Sequence, residues 1–328
     1  MSRRIVLDTD IGGDVDDSLC LALALASPEI ELAAVTAIGG GSRTRARVAS
    51  KLLGLAGRSE IPVFAGCRVP VLGGSGVGGV QEVLGDGQLE PGEEPPIEAE
   101  HGVDALLRLF GADPELELVM IGPMTNLAVA LMKDPDLAGS VRQLTVMGGH
   151  LRRVAYGGHV FARGIDYNLC SDPQASLVAL RSGIPTRLVT ADVTLQSWIT
   201  EADLETLEAR GTPFHSALAA GIRCWTPIQD KIFGAAGCDM SGDNVAFLHD
   251  PLALAAVYDE GFCRFEDLEV EPVISDGVFL TRECEQARAE SFPFRCAIEV
   301  DADAFRNHFM DRVLGFEPGP FAAGGELG

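Results

Sequence analysis

Ile5-Val6-Leu7-Asp8-Thr9-Asp10-Ile11-Gly12-Gly13-Asp14-Val15-Asp16-Asp17 is the stretch from which the fold is read. An apolar, partly β-branched run ends in Asp-Thr-Asp, a glycine pair turns the chain, and the two aspartates open onto Ser18-Leu19-Cys20-Leu21-Ala22-Leu23. That is strand, turn and helix in under thirty residues. The same alternation continues: apolar runs at 4–8, 31–38, 61–65, 117–121, 142–147 and 185–190 predict strands. Between them, 17–26, 44–56, 102–110, 126–133, 173–181 and 201–209 predict helices, several stopped by Pro or Gly, as at Ala26-Ser27-Pro28 and Ser182-Gly183. Alternating βαβ units predict an α/β fold with an open, mostly parallel sheet flanked by helices.

In such sheets ligands bind where the strands end at their carboxyl side. Here those turns read Asp-Thr-Asp, Gly39-Gly40-Gly41, Gly122-Pro123-Met124-Thr125-Asn126, Gly148-Gly149-His150 and Ala191-Asp192-Val193-Thr194, and should share one crevice. Beyond residue 264 the alternating stretches 268–283 and 292–300 predict a small C-terminal antiparallel appendage, followed by a helix at about 302–314. Residues 1–316 read as a single domain, in which the Gly-, Pro- and Glu-rich segment 71–100 is a flap or insertion, and 317–328 as a flexible tail.

The chain carries 25 Lys+Arg against 48 Asp+Glu, a formal charge of −23, which argues against a nucleic-acid backbone or an anionic membrane as partner. Hydrophobic residues make up 47% of the 328, enough for a sizeable core. The eight cysteines are dispersed, with no C-x-x-C pair or matching His spacing for zinc. With no signal-peptide-like or membrane-spanning apolar run, the expected location is cytoplasmic.

Five carboxylates, Asp8, Asp10, Asp14, Asp16 and Asp17, fall within ten residues at a strand end, a turn and a helix start. Like charges this close oppose each other's ionisation, so a buried set needs shared protons or a cation. Oxygen-only ligands favour calcium or magnesium over zinc or copper, and the lack of a rigid pattern favours calcium. The bland alternative is first-turn acids suiting a helix dipole, which serves for Asp14 alone better than for the whole set.

The run DTDIGGDVDDSLCLALAL resembles the amino-terminal signature of the inosine–uridine-type nucleoside hydrolases, in a variant with two extra residues before the paired aspartates. The resemblance continues in order through Ile121–Ala128, Val146-Met147-Gly148-Gly149, Asp166-Tyr167-Asn168 with Asp172-Pro173, and Leu248-His249-Asp250-Pro251-Leu252-Ala253. It implies a Rossmann-like fold and hydrolysis of the N-glycosidic bond of ribonucleosides to base and ribose. It also implies Ca2+ held by Asp10, Asp17, Asp250 and the main-chain carbonyl of Thr125, with Asp10 as general base toward the calcium-bound water. Asp16, Asn168, Asp166 and Asn126 would contact the substrate; Asp166 stands where relatives usually have a longer Glu. His249, beside Asp250, is the candidate general acid for the leaving base; its bland reading is a residue that orients Asp250. Relatives are commonly dimers or tetramers, so a homodimer or homotetramer is expected.

The sequence also departs from the pattern. Gly39-Gly40-Gly41 stands where relatives often carry a ribose-binding Asn, 71–100 contains no histidine, and an Asn expected at 159–161 is absent. Gln81, Glu82 or Asp86 are candidate substitutes, and Tyr156, Phe161, Trp198 and Trp225 are candidates to stack on a base. Two rival readings follow. One is a catalytically weak nucleoside- or sugar-binding protein. The other is a haloacid dehalogenase-type phosphatase with Asp8 as nucleophile.

Overall fold

The computed structural model describes residues 2–73, 89, 92–162 and 166–319. Strands β1 (Arg3–Thr9), β2 (Ile30–Ala37), β3 (Val63–Ala65), β4 (Glu117–Met120) and β5 (Leu144–Met147) form most of the parallel part of a nine-stranded sheet. Its order is Val278–Cys284, Cys263–Ser275, Phe292–Val300, Thr186–Val189, β5, β4, β1, β2, β3. All neighbours from Phe292–Val300 to β3 pair in parallel.

The expected antiparallel stretch is present and continuous with this sheet. Cys263–Ser275 pairs antiparallel with both of its neighbours, and Phe292–Val300 joins Thr186–Val189 in parallel. An Asp276-Gly277 turn, with φ of 52° and 82°, supplies the positive dihedrals a tight hairpin requires.

Alternation along each strand feeds two cores, one per face. Ile5, Leu7, Val35 and Val119 point into one; Val6, Ala34, Leu118 and Met120 point into the other. The first is closed by α1 (Asp16–Ala26), α2 (Ser42–Leu55) and the helices Pro213–Ala235, His249–Tyr258 and Ala302–Gly315. The second is closed by α3 (Gly102–Ala112), α4 (Thr125–Lys133) and Pro173–Leu180. α1 is buried on nearly every side, which explains its unbroken apolar sequence.

The chain leaves β1 toward β2 and β3 on one side and returns to β4 and β5 on the other, so the strand order reverses between β1 and β4. A crevice opens at such a point, and Asp8-Thr9-Asp10 ends there.

The predicted strands and helices are found within a few residues of their expected bounds. The 23-residue helix Pro213–Ala235 was not expected; it runs through Pro227, which reads locally as a stop. The hairpin Val154–Tyr156/His159–Phe161 and the pair Trp198–Thr200/Asn244–Phe247 are also additions. The described ends of the 71–100 segment are tethered: the Val71 amide donates to Asp172 Oδ2 at 2.7 Å, the Glu98 amide to the Val63 carbonyl at 2.9 Å, and Lys51 pairs with Glu93 at 2.7 Å. Most of that segment, including Gln81, Glu82 and Asp86, lies outside the described residues. The tail begins docked, since the Gly319 amide donates to the Ala56 carbonyl at 3.1 Å; 320–328 lie outside the described residues.

Candidate metal and active site

Strand β1 delivers its acids to opposite roles. Asp8 is fully buried; its Oδ2 accepts from Thr36 Oγ1 at 2.5 Å and from Asn126 Nδ2 at 2.8 Å. Burial pushes its pKa up to about 7, against those two bonds. The nucleophile that the phosphatase reading requires is thus sealed inside the sheet. Asp10, two residues on, emerges at the crevice and keeps partial access to solvent, as do Asp14 and His249.

The turn after β1 and the start of α1 are fixed by their own side chains. Thr9 Oγ1 accepts from the Ile11 amide at 3.0 Å and donates to Asp17 Oδ1 at 2.5 Å. Asp14 Oδ1 accepts from the amides of Val15 and Asp16 at 2.6 and 3.4 Å, so Asp14 does serve the helix start. Across from them, helix His249–Tyr258 packs on α1 and presents Asp250.

Single carboxylate oxygens of Asp16, Asp17 and Asp250 all lie within 4.8 Å of one another, and all three residues are buried. Asp250 Oδ1 has no hydrogen-bond partner. Burial, and then mutual repulsion among the acids, pushes Asp16, Asp17 and Asp250 well above the carboxylate range, and Asp10 and Asp14 are raised as well, burial again leading. A buried, oxygen-only cluster with an orphaned carboxylate oxygen fits a hard divalent cation, which would replace the protons the cluster otherwise prefers.

Other predicted residues border this centre. Gly122 is packed so closely that a Cβ there would stand 2.7 Å from Asp10 Oδ1. Thr125, the first residue of α4, donates its hydroxyl to Asp172 Oδ2 at 2.7 Å. Asn168 Nδ2 donates to the carbonyls of Ile121 and Met147 at 3.0 and 3.1 Å, tying together the ends of β4 and β5. Asp166 caps the helix Tyr167–Ser171 through Leu169 at 2.9 Å; its Oδ2 is buried without a partner, and burial raises its pKa to about 6.

Asn126, expected to touch substrate, is instead committed to the protein. Its Oδ1 accepts from the Cys67 amide at 2.8 Å, its Nδ2 serves Asp8, and a Cβ at Gly66 would sit 2.2 Å from it. His249 stacks on Phe247 with centroids 4.9 Å apart, and its Nδ1 is hydrogen-bonded to Thr194 Oγ1 at 2.6 Å. Burial lowers its pKa to about 4, so the ring is neutral near pH 7. Phe247 belongs to an aromatic cluster with Tyr156, Phe161, Trp198 and Phe233. Three of the four aromatics proposed as base platforms therefore belong to the cluster whose Phe247 stacks on His249, while Trp225 packs on the larger core.

Sequence reasoning passed over Thr9, Thr36, Thr194 and Arg45. The threonines carry no signal: Thr9 and Thr36 are ordinary strand-end residues, and Thr194 closes the short helix Ala191–Thr194. Arg45 does carry one: with Ser42, Ala49 and Leu52 it falls on the buried stripe of α2, an arginine at a core position.

The description "Inosine-uridine preferring nucleoside hydrolase" belongs to the family model that matches residues 5–307. The pyrimidine-specific ribonucleoside hydrolase RihA of Enterobacter sp. (strain 638) is 30% identical over 262 residues, covering 78% of this chain and 79% of its own length. RihB of Escherichia coli O157:H7, also named pyrimidine-specific, is 26% identical over 324 residues, 96% of this chain and 98% of its own. Among solved structures, the purine-preferring ribonucleoside hydrolase from Gardnerella vaginalis superposes with a TM-score of 0.79 at 26% identity, covering 95% of this chain and 98% of that one.

Proposed function

Since this chain belongs to the inosine–uridine preferring nucleoside hydrolase family and hydrolyses ribonucleosides, we propose that it does so at the carboxylate crevice with the help of one calcium ion. The observation that carries the reading is the convergence of Asp16, Asp17 and Asp250 from the starts of two packed helices. Asp10, Asp17, Asp250 and the Thr125 carbonyl would hold the ion, and all-oxygen ligation favours calcium or magnesium. When bound, the cation supplies Lewis-acid charge that orients substrate hydroxyls and the attacking water.

The chain's own groups do the rest. Asp10, partly open to solvent, takes a proton from the attacking water. Asp16 and Asn168 hold ribose hydroxyls, and Asp166 the far end of the sugar. As the glycosidic bond breaks, positive charge grows on the ribose ring, and the surrounding carboxylates stabilise it. With Thr194 donating to Nδ1, the neutral His249 carries its one proton on Nε2, from which it hydrogen-bonds to the departing base; to act as general acid the ring takes up a second proton from solvent and passes it on, returning to the neutral form. The aromatic cluster beside it offers a stacking wall for that base.

Further parts of the reading are a single domain over 1–316, a homodimer or homotetramer, and a cytoplasmic location in keeping with eight free thiols. The deciding experiment is release of free ribose from a panel of purine and pyrimidine nucleosides, with calcium and after chelation. Release that stops on chelation and returns with calcium supports calcium-dependent hydrolysis at this crevice. Calcium binding without release from any nucleoside favours the binding-protein alternative.

A further inference from the structure

Arg45 is 2% exposed, one of the largest fully buried side chains described. Burying a guanidinium is costly unless its donors are satisfied. Its Nη1 donates to the carbonyls of Asp10 and Ile11, the latter at 3.1 Å, and its Nε to the carbonyl of Gly40 at 2.9 Å. The first two carbonyls belong to the turn after β1 and the third to the turn after β2, so one planar group ties together two strand-end turns. Both turns are glycine-rich where they approach it: a Cβ at Gly13 or Gly39 would already stand in van der Waals contact, 3.7 Å from a guanidinium nitrogen.

We infer that Arg45 is a positioning residue for the reaction, whose fork holds the Asp10–Ile11 backbone so that the Asp10 carboxylate faces the cluster. The inference rests on the cation reading above. Each of these bonds goes to a carbonyl and none to a carboxylate, so the positive charge lies beside the cluster without closing an ion pair to it. Fork and charge oppose each other with respect to a metal: the fork orders Asp10, whereas the charge repels a cation. Lysine keeps the charge but cannot span two turns with a single nitrogen, so Arg45→Lys isolates the fork.

The test is calcium titration by calorimetry without substrate, with kcat, KM and melting temperature in parallel, for the unaltered enzyme, Arg45→Lys and Arg45→Met. Groups that orient metal ligands typically cost 10–100-fold in affinity or activity when removed, so Arg45→Lys should bind calcium about 10–100-fold more weakly and lose kcat in preference to KM. Arg45→Met, which also removes the repulsion, should bind calcium more tightly than Arg45→Lys while its kcat stays low. A brace with no role in the site would lower the melting temperature alone; wild-type affinity and kcat in folded Arg45→Lys overturn the inference. If Arg45→Lys does not fold, unchanged kcat in Arg45→Met overturns it equally. Failure of the unaltered enzyme to bind calcium overturns the cation reading instead, and Arg45 is then judged on kcat.

Discussion

Two acids on one face of a strand end meet different fates because of how far along the chain each emerges. Asp8 and Asp10 share a face of β1, yet Asp8 is still beneath the turns while Asp10 has cleared them. Asp10→Ala should cut ribose release by about 10²–10⁴-fold, the usual span for a lost general base, and weaken calcium binding; near-normal turnover would sink the mechanism. His249→Ala should slow hydrolysis of nucleosides with poor leaving groups more than that of a p-nitrophenyl riboside, whose phenolate departs unaided. Equal losses on both would return His249 to orienting Asp250. Asp166 predicts a pH effect on stability. Its folded pKa of about 6 exceeds the ordinary 3.8, so the stabilisation from its protonated form is complete below about pH 4 and lost as pH rises through 6. Relative to Asp166→Asn, the wild type should lose up to about 3 kcal/mol across that interval, measured by denaturant melts at each pH. Parallel curves would show that Asp166 ionises normally.

At the scale of elements, the strands and helices were legible because burial on both sheet faces forces continuous Val/Ile/Leu runs between amphipathic helices. What was not legible arose from contacts distant in sequence. Nothing near Pro227 announces that the helix Pro213–Ala235 continues through it, since the reason lies in packing against Asn244–Phe247, where Thr226 Oγ1 also reaches the Val245 carbonyl at 2.8 Å. The acids at 8–17 and Asp250 stood out in the sequence as chemistry, but the internal commitment of Asn126 depends on Gly66 and Cys67, which nothing local links to it. The turn after β4 also sets a limit on side-chain size. Gly122→Ala would place a methyl 2.7 Å from Asp10 Oδ1 and 2.9 Å from the Asp10 amide, which cannot swing aside. A loss of roughly 1–3 kcal/mol in stability, with a steep fall in turnover, is expected from thermal melts and ribose assays; a fully active Ala variant would show that the strand end yields.

Across the whole molecule, the buried acidic centre is assembled from segments far apart in the chain: Asp16 and Asp17 near one end and Asp250 well beyond the middle. The net charge of −23 attracts cations toward the crevice and repels polyanions from the surface that surrounds it.

That Asp250 faces Asp16 and Asp17 also bears on the order in which the protein matures. A chain still emerging from the ribosome has the first two acids long before the third, so it cannot offer a complete coordination shell until most of its length is synthesised. Calcium should therefore act as a latch on a nearly finished structure rather than a seed for it. In stopped-flow experiments it should slow unfolding markedly and leave the refolding rate almost unchanged; accelerated refolding would mean that the three carboxylates meet early, in a compact state that forms before the sheet is complete.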